Sequence, residues 1–229
     1  MSKKLMRVLV LVLALALFAG LLAGCSQTKD PGDEENPGGG QQAGSGGTAQ
    51  KDTLIIATAN ETPSVTTHLH NAVAGDYLNK MTHNGLFYYD DNLTPQPDLC
   101  ESYTLISDTV WEFKIKQGVK FHNGAELKAA DVKASLELCK ESPEVAQYGR
   151  STGTIEVVDD YTVRITTDGP QSGLLADLCH HGSAILPADL IESGHDFNKE
   201  PIGTGPYMLT AWNKGENLEF EAFRVLFPV

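Results

Sequence analysis

The fold is decided by residues 111–138, which read WEFKIKQGVKFHNGAELKAADVKASLEL. The stretch begins with an alternation in which Trp111, Phe113 and Ile115 are apolar and the residues between them are charged. Because successive side chains of a strand point to opposite faces, this period of two predicts a strand with one buried and one exposed face. Gly118 follows at a predicted turn, since glycine reaches backbone angles that other residues avoid.

The second half of the stretch predicts an amphipathic helix. A second turn signal, His122-Asn123-Gly124, ends the alternation, and the apolar residues then recur at helical spacing. The residues of the resulting apolar stripe are Ala129, Val132, Leu136 and Cys139. Lys133 and Glu137 lie on another face as an i,i+4 pair. We therefore expect a strand, two turns and a helix with one apolar face.

The same residues resemble a known family. The pattern W-x-F-x-[IL]-[KR]-x-G-V-K-F-H-[DN]-G, followed by A-x-D-V-x-x-S-L-E, is similar to the peptide-binding proteins of ABC importers, the dipeptide, oligopeptide and nickel-binding family (family 5). One departure is Lys128, which stands where the family usually has a Ser or Thr that caps the helix. Since a missing capping oxygen typically costs about 1 kcal/mol, we expect the helix to fray or to begin elsewhere.

A β-hairpin is predicted further along the chain. Residues 154–158 and 161–166 are rich in β-branched side chains and flank Asp159-Asp160. The segment resembles the family's V-x-V-x-D-D-Y-T-V-x-[IF]. Two adjacent carboxylates could in principle share a proton, but in a hairpin turn we expect them to be solvated.

Two loop segments carry the same resemblance. Residues 93–99 are similar to the family's L-x-P-x-L-A, and residues 201–207, PIGTGPY, to its P-[VI]-G-T-G-P-Y. A phosphate-binding loop is the alternative for the second segment. That alternative fails because Pro206 has no N–H to offer and no helix with a lysine follows.

The resemblance implies a mixed α/β fold of the type II periplasmic-binding-protein-like class, with only the first lobe present and with the family's extra small β-rich subdomain. The other predicted elements are a buried strand at residues 54–58, a loop at 59–70, a helix at 74–86, a strand at 86–89, helical turns near 174–179 and 188–193, and strands at 207–212 and 217–222. We expect Tyr77 and Met81 on the inner face of the first helix.

The resemblance also implies a binding site on the loop after residues 54–58. The family often has N-E-P-x-S-L-D-P there, and this chain has Asn-Glu-Thr-Pro-Ser-Val-Thr-Thr at residues 60–67. Glu61, Thr62 and Pro63 are therefore the candidate ligand-contacting residues. A plain surface loop is the alternative, and the sequence leaves both open.

The N-terminus predicts a lipoprotein leader. Basic residues precede an apolar run at residues 8–22, which is short for a membrane span. The run ends in Leu-Ala-Gly-Cys, which resembles the bacterial lipobox and implies cleavage before Cys25 and lipidation of that residue. We expect a signal peptide at residues 1–24 and an anchor on the extracytoplasmic face of the cell membrane.

Residues 26–52 predict a flexible tether. They include seven glycines and two prolines, and their only aliphatic side chains are Ala43 and Ala49. Such a segment cannot form a core, and as a coil it spans roughly 26–31 Å. The folded lobe is then expected at residues 53–229.

Charge and cysteine content exclude several functions. Removal of residues 1–24 takes away three positive charges and no negative ones, so the formal charge falls from −13 to −16. So acidic a chain is not expected to bind nucleic acid. Cys100, Cys139 and Cys179 remain after lipidation, allow at most one disulfide and form no C-x-x-C motif. Cys139, on the helix stripe, is expected to be a small buried hydrophobe.

The histidines do not predict a metal site. His180 and His181 are adjacent and lack a third ligand at a convincing spacing, and His68 and His70 fall in a predicted loop. His122 belongs to a turn and is expected to be structural. We find no catalytic constellation, and we expect neither enzymatic activity nor a cofactor.

The sequence thus predicts a lipid-anchored, monomeric solute-binding component of an ABC importer, with a peptide or other small solute and the permease subunits as partners. The resemblance stops after Phe223, so we expect a truncated form without the second lobe. The alternatives are a surface adhesion module that uses one lobe and a nickel- or metal-complex-binding protein. The sequence does not identify the solute.

Overall fold

The computed structural model describes residues 53–224. The predicted signal peptide, Cys25 and the predicted tether lie outside the described residues, as do residues 225–229. Among the described helices, none has the length and apolarity that a membrane crossing requires.

The chain alternates short helices with antiparallel strands. In chain order the elements are α1 (Val73–Thr82), β1 (Phe87–Tyr89), β2 (Pro95–Pro97), β3 (Cys100–Ser107), β4 (Val110–Ile115), α2 (Ala129–Glu141), α3 (Ala146–Gly149), a 3₁₀ turn (Arg150–Thr152), β5 (Thr154–Asp159), β6 (Thr162–Thr166), α4 (Leu174–Asp177), a second 3₁₀ turn (His181–Ser183), α5 (Ala188–Glu192), β7 (Tyr207–Asn213) and β8 (Asn217–Ala222). The predicted mixed α/β fold is confirmed.

The largest sheet has four antiparallel strands in the order β3-β4-β6-β5. Phe113 of β4 lies opposite Tyr103 on one side and Val163 on the other, so the predicted strand is central. Its inner face is buried, and on its outer face Arg164 binds Glu112 at 2.8 Å. The predicted hairpin is β5-β6, and β1-β2 and β7-β8 form separate two-stranded ribbons.

Helix α2 packs on this sheet through the predicted stripe, whose four side chains are fully buried. Lys133 and Glu137 form the predicted exposed pair, with 3.9 Å between the ammonium and the carboxylate. Gly118 and Gly124 both have positive φ, at 77° and 86°, so each predicted turn needs the conformational freedom of glycine.

The expectation that α2 would fray or start elsewhere is wrong. The helix begins at Ala129, directly after Lys128. The carboxylate of Asp131 accepts the Lys128 backbone N–H at 2.7 Å and, with its other oxygen, the Ala188 N–H at 2.8 Å. The Ala129 N–H donates to Asp160 O at 2.8 Å. The carboxylate of the third helical residue therefore fixes the backbone just before the helix and also the start of α5, and its negative charge is favourable near a helix N-terminus.

Two other predictions are wrong. Residues 54–58 form no strand in the structure, and Ile55 is 88% exposed, because no described strand pairs with the run. Tyr77 is 65% exposed, and the inner face of α1 is instead made by Gly75, Asn79 and Thr82. This face is small and polar because it packs on a hydrogen-bonded loop rather than on the apolar core.

The 201–205 segment is wholly buried against the C-terminal end of α1. Gly205 N–H donates to Thr82 O at 3.0 Å, and a Cβ on Gly203 would lie 2.1 Å from the same oxygen. His122 receives the Gly203 N–H on Nδ1 and contacts Gly205 O through Nε2 at 3.0 Å. The two glycines therefore permit a close backbone approach, and His122 has the structural role predicted for it.

We expect Asp131→Ala to lower the free energy of unfolding by about 1–2 kcal/mol, because two part-buried N–H groups lose their acceptor. Denaturant unfolding of the purified chain measures this. Glu137→Ala on the exposed face of the same helix is the control and should change stability by less than about 0.5 kcal/mol. Equal effects of the two substitutions would contradict the capping role.

Candidate functional site

The predicted loop at residues 59–70 is confirmed, and its middle is held by a distant side chain. The amide oxygen of Asn198 accepts the Ser64 hydroxyl at 2.9 Å and the Val65 N–H at 3.2 Å. Ser64 and Val65 are both buried. The loop conformation is thus imposed by the fold around it.

The second half of the loop is held by helices. Ser142, just after α2, donates its hydroxyl to His68 O at 2.6 Å. His70 Nε2 meets the Asn79 amide of α1 at 2.9 Å, and His181 Nε2 lies 3.1 Å from His70 O. The buried polar face of α1 therefore serves to bind this loop.

Of the three candidate residues, Thr62 forms a hydrogen bond inside the loop itself. Its side chain is buried, and its hydroxyl donates to Ser64 O at 2.5 Å. Pro63 is exposed next to it. Of these two residues, only Pro63 faces solvent. We call residues 59–63 the corner.

Glu61 is exposed, but its carboxylate accepts two hydrogen bonds. Its Oε1 accepts the Gly215 N–H at 2.9 Å and the Trp212 Nε1–H at 3.3 Å. Both donors belong to the β7-β8 ribbon, more than 150 residues along the chain. Sequence reasoning did not find this contact, since nothing near Trp212 or Gly215 in the chain indicates a partner so far away.

Histidines cluster beside the loop. The rings of His70 and His181 stack with centroids 4.8 Å apart, and His181 Nδ1 lies 3.1 Å from Asp76 Oδ1. His180 stacks on Tyr148. Within residues 53–224, no group of three or more potential ligands is arranged to hold a metal ion.

Burial keeps His70, His180 and the nearby His83 neutral near pH 7. Burial, together with the neighbouring His181, lowers the pKa of both His70 and His180 to about 4. Burial, with a smaller effect of His122, lowers the pKa of His83 to about 3. Burial opposes the ionisation of Asp76, but hydrogen bonds from His181 and Lys80 outweigh it and hold the pKa of this carboxyl at about 2.

A groove of about 390 Å³ lies between the end of α1, strand β1 and residues 179–184. Its walls include Lys80, Tyr88, Asp98 and His180. Lys80 is paired with Asp76 at 2.9 Å, and Asp98 accepts the Asn84 amide at 2.8 Å. Lys80 is therefore already in an ion pair, and Asp98 is hydrogen-bonded to a neutral amide.

The three described cysteines are free and buried. Burial raises the pKa of Cys100 to about 12 and that of Cys139 and Cys179 to about 11. They are therefore protonated near neutral pH, and Cys139 is the buried hydrophobe predicted. Asp160, 80% exposed in the hairpin turn, is solvated as expected.

The chain is similar to known proteins over most of the described residues. Residues 94–224, more than half of the chain, match the family model "Bacterial extracellular solute-binding proteins, family 5 Middle", which begins after the candidate loop. The glutathione-binding protein GsiB of Salmonella paratyphi A is 31% identical over 180 residues, which are 76% of this chain and 35% of that protein. The chain thus spans about a third of the length of the curated relatives it matches.

Two solved structures show the same fold. NikZ from Campylobacter jejuni, in complex with Ni(L-His), superposes with a TM-score of 0.67 at 31% sequence identity. The match covers 78% of this chain and 37% of the NikZ chain. DppA from Helicobacter pylori, in complex with the peptide STSA, superposes with a TM-score of 0.64 at 26% sequence identity. The match covers 72% of this chain and 38% of the DppA chain.

We expect the melting temperature to fall as the pH is lowered from about 6.5 toward about 4. In this window the unfolded chain binds protons at histidines that the folded chain keeps neutral, so acid favours unfolding. The ionised Asp76 adds its own loss only below its ordinary pKa of 3.8. Thermal melts across the window measure the decline.

His180→Gln is the control for this pH dependence. Glutamine can accept the Gly182 N–H that His180 Nδ1 now accepts, but it cannot be protonated. The variant should therefore show a shallower decline. A melting temperature independent of pH in the unsubstituted chain would contradict the assignment.

Proposed function

The chain belongs to the bacterial extracellular solute-binding proteins of family 5, and from this premise we propose that it is the lipid-anchored binding component of an ABC importer for peptides or similar small solutes. The observation that carries the proposal is the family match over residues 94–224, which includes the sheet, α2 and the β7-β8 ribbon. The named relatives are binding proteins rather than enzymes. We propose that this chain likewise binds without catalysis and acts as a monomer.

The solute contacts in this proposal lie at Glu61, Thr62 and Pro63. The loop is fixed by Asn198 and by the β7-β8 ribbon before any solute arrives. A surface that is already ordered loses little conformational freedom on binding, which favours affinity. Thr62 would shape the site from within the loop, because it is buried and its hydroxyl is already bonded to Ser64 O.

Residues 53–224 supply one wall of the proposed solute cleft. Concave sites gain affinity by enclosing most of the ligand surface, so a second wall is needed for tight binding. In the proposal that wall belongs to the second lobe. Residues 53–224 by themselves are then expected to bind weakly.

The solute class is proposed from the relatives. GsiB is named for glutathione, DppA was solved with a peptide and NikZ with a nickel–histidine complex. These ligands all contain amino-acid units. Short peptides are the first candidate, and the similarity to NikZ makes a nickel–histidine complex the second.

The membrane attachment is proposed from the leader. Lipidation of Cys25 would hold the lobe through the 26–52 tether, whose coil length of roughly 26–31 Å allows it to reach permease subunits in the same membrane. The protein would then act on the extracytoplasmic face.

We expect weak, saturable binding of short peptides, with a Kd on the order of 0.1–1 mM for a one-walled site. The measurement is a titration of the ¹⁵N-labelled chain, purified in detergent, with a pool of di- to pentapeptides and separately with Ni(L-His). Glucose is the control solute and should cause no shifts. A cooperative melt without saturable shifts would contradict the proposal and favour the adhesion module.

We expect Cys25 to carry fatty acid. Cells that express the chain and are fed an alkyne-labelled fatty acid should incorporate the label, and the protein should fractionate with membranes. Cys25→Ser is the control, since it removes the only thiol in the lipobox-like segment. Equal labelling of the variant and the unsubstituted chain would overturn the anchor.

A further inference from the structure

The β7-β8 ribbon reaches the candidate loop through a single side chain. Trp212 and Gly215 belong to the ribbon, and both donate to Glu61 Oε1. Gly215 has a φ of 79°, which turns its N–H toward the carboxylate at a conformation that favours glycine. We call Glu61, Trp212 and Gly215 the latch.

Within the described residues, the latch provides the only hydrogen bonds between residues 55–61 and another element. Within the described residues, Thr58 and Asn60 bond only to each other in the 55–60 stretch, and no bond joins that stretch to another element. Ile55 and Ile56 are 88% and 66% exposed, so apolar packing does not hold it either. The position of the stretch leading into Thr62 and Pro63 therefore depends on Glu61.

The residues that follow Pro63 are held in place independently of the latch. Ser64 and Val65 are bound by Asn198, and Thr62 is buried. Loss of the latch would thus free the residues before Thr62 and leave those after Pro63 in place. The predicted consequence is a looser binding corner in a folded protein.

The donor side chain of the latch is itself oriented. Trp212 lies opposite Leu218 in the ribbon and is half-buried, and the Lys214 ammonium sits 4.5 Å from the centre of its ring. A cation over an indole ring is attracted to its face. These contacts hold the indole N–H in line with Glu61.

We propose that Trp212 and Gly215 are positioning residues of the solute site, and that Glu61 acts in that site chiefly by holding the 59–63 corner against the β7-β8 ribbon. The inference rests on the proposed function, because it concerns how that same site is shaped. It assigns to a ribbon outside the candidate loop a share of the binding affinity.

The first test compares solute affinities by the same NMR titration. Trp212→Phe keeps an aromatic ring but removes the N–H, and we expect about fivefold weaker binding; Glu61→Ala removes both bonds, and we expect about tenfold or more. Thr210→Val is the matched control, since it removes an exposed ribbon hydrogen bond to Glu219 O that does not touch the loop. The control should bind like the unsubstituted chain.

The second test separates positioning from direct charge contact. Glu61→Gln keeps an oxygen that can accept from Trp212 and Gly215, so it should retain most of the affinity that Glu61→Ala loses. In a Trp111→Phe background the emission comes from Trp212 alone, because the sequence has two tryptophans. That emission should change in Glu61→Ala and stay unchanged in Glu61→Gln.

Two outcomes would overturn the inference. One is a Trp212→Phe variant that binds as tightly as the unsubstituted chain, and the other is a Glu61→Gln variant that binds as weakly as Glu61→Ala. Both presuppose that the unsubstituted chain binds. Absence of binding in the unsubstituted chain would instead count against the proposed function.

Discussion

Burial of one face of α2 against the four-stranded sheet is the interaction on which the rest of the structure depends. The helix contributes Val132 and Leu136 to the core, and the sheet contributes Phe113, Val163 and Ile165. Each such side chain stabilises the fold by about 1.5–3 kcal/mol on burial. The polar residues of α2 then attach the chain that follows, since Asp131 binds Ala188 N–H and Ser135 binds both backbone groups of Leu186. The remaining elements are arranged around this pair.

The candidate site lies at the end of that arrangement. Helix α1 presents a small, polar face, so the loop at residues 59–70 and the buried segment at residues 201–205 both pack against it through hydrogen bonds. The β7-β8 ribbon follows that segment and returns to Glu61. A loop without regular structure is thereby ordered by contacts with residues far away in the chain, and a preordered loop of this kind suits the proposed solute surface.

The sequence predicts most of the elements because their signals are local. The alternation around Phe113 and the helical spacing of Val132 and Leu136 each depend on a few neighbouring residues, and the structure confirms them.

The predictions that failed concern interaction partners that local sequence patterns do not show. An apolar run such as residues 54–58 becomes a strand only if another strand pairs with it. The prediction for the start of α2 considered only the side chain of Lys128. The carboxylate of Asp131, three residues further on, accepts the Lys128 N–H and fixes the start of the helix. The contact between Glu61 and Trp212 spans 151 residues and leaves no pattern in either segment. The predicted loop was therefore found, whereas the way in which it is held had to come from the structure.

In the proposed site the solute sits on the corner at residues 59–63, and this corner rests on the β7-β8 ribbon. Amide hydrogen exchange, followed residue by residue with and without the peptide pool, tests it most directly, because exchange reports local opening wherever it occurs. The account predicts slower exchange on binding at residues 59–66 and at the Gly215 turn. Slowing confined to the groove at residues 179–184, with the corner unchanged, would contradict it.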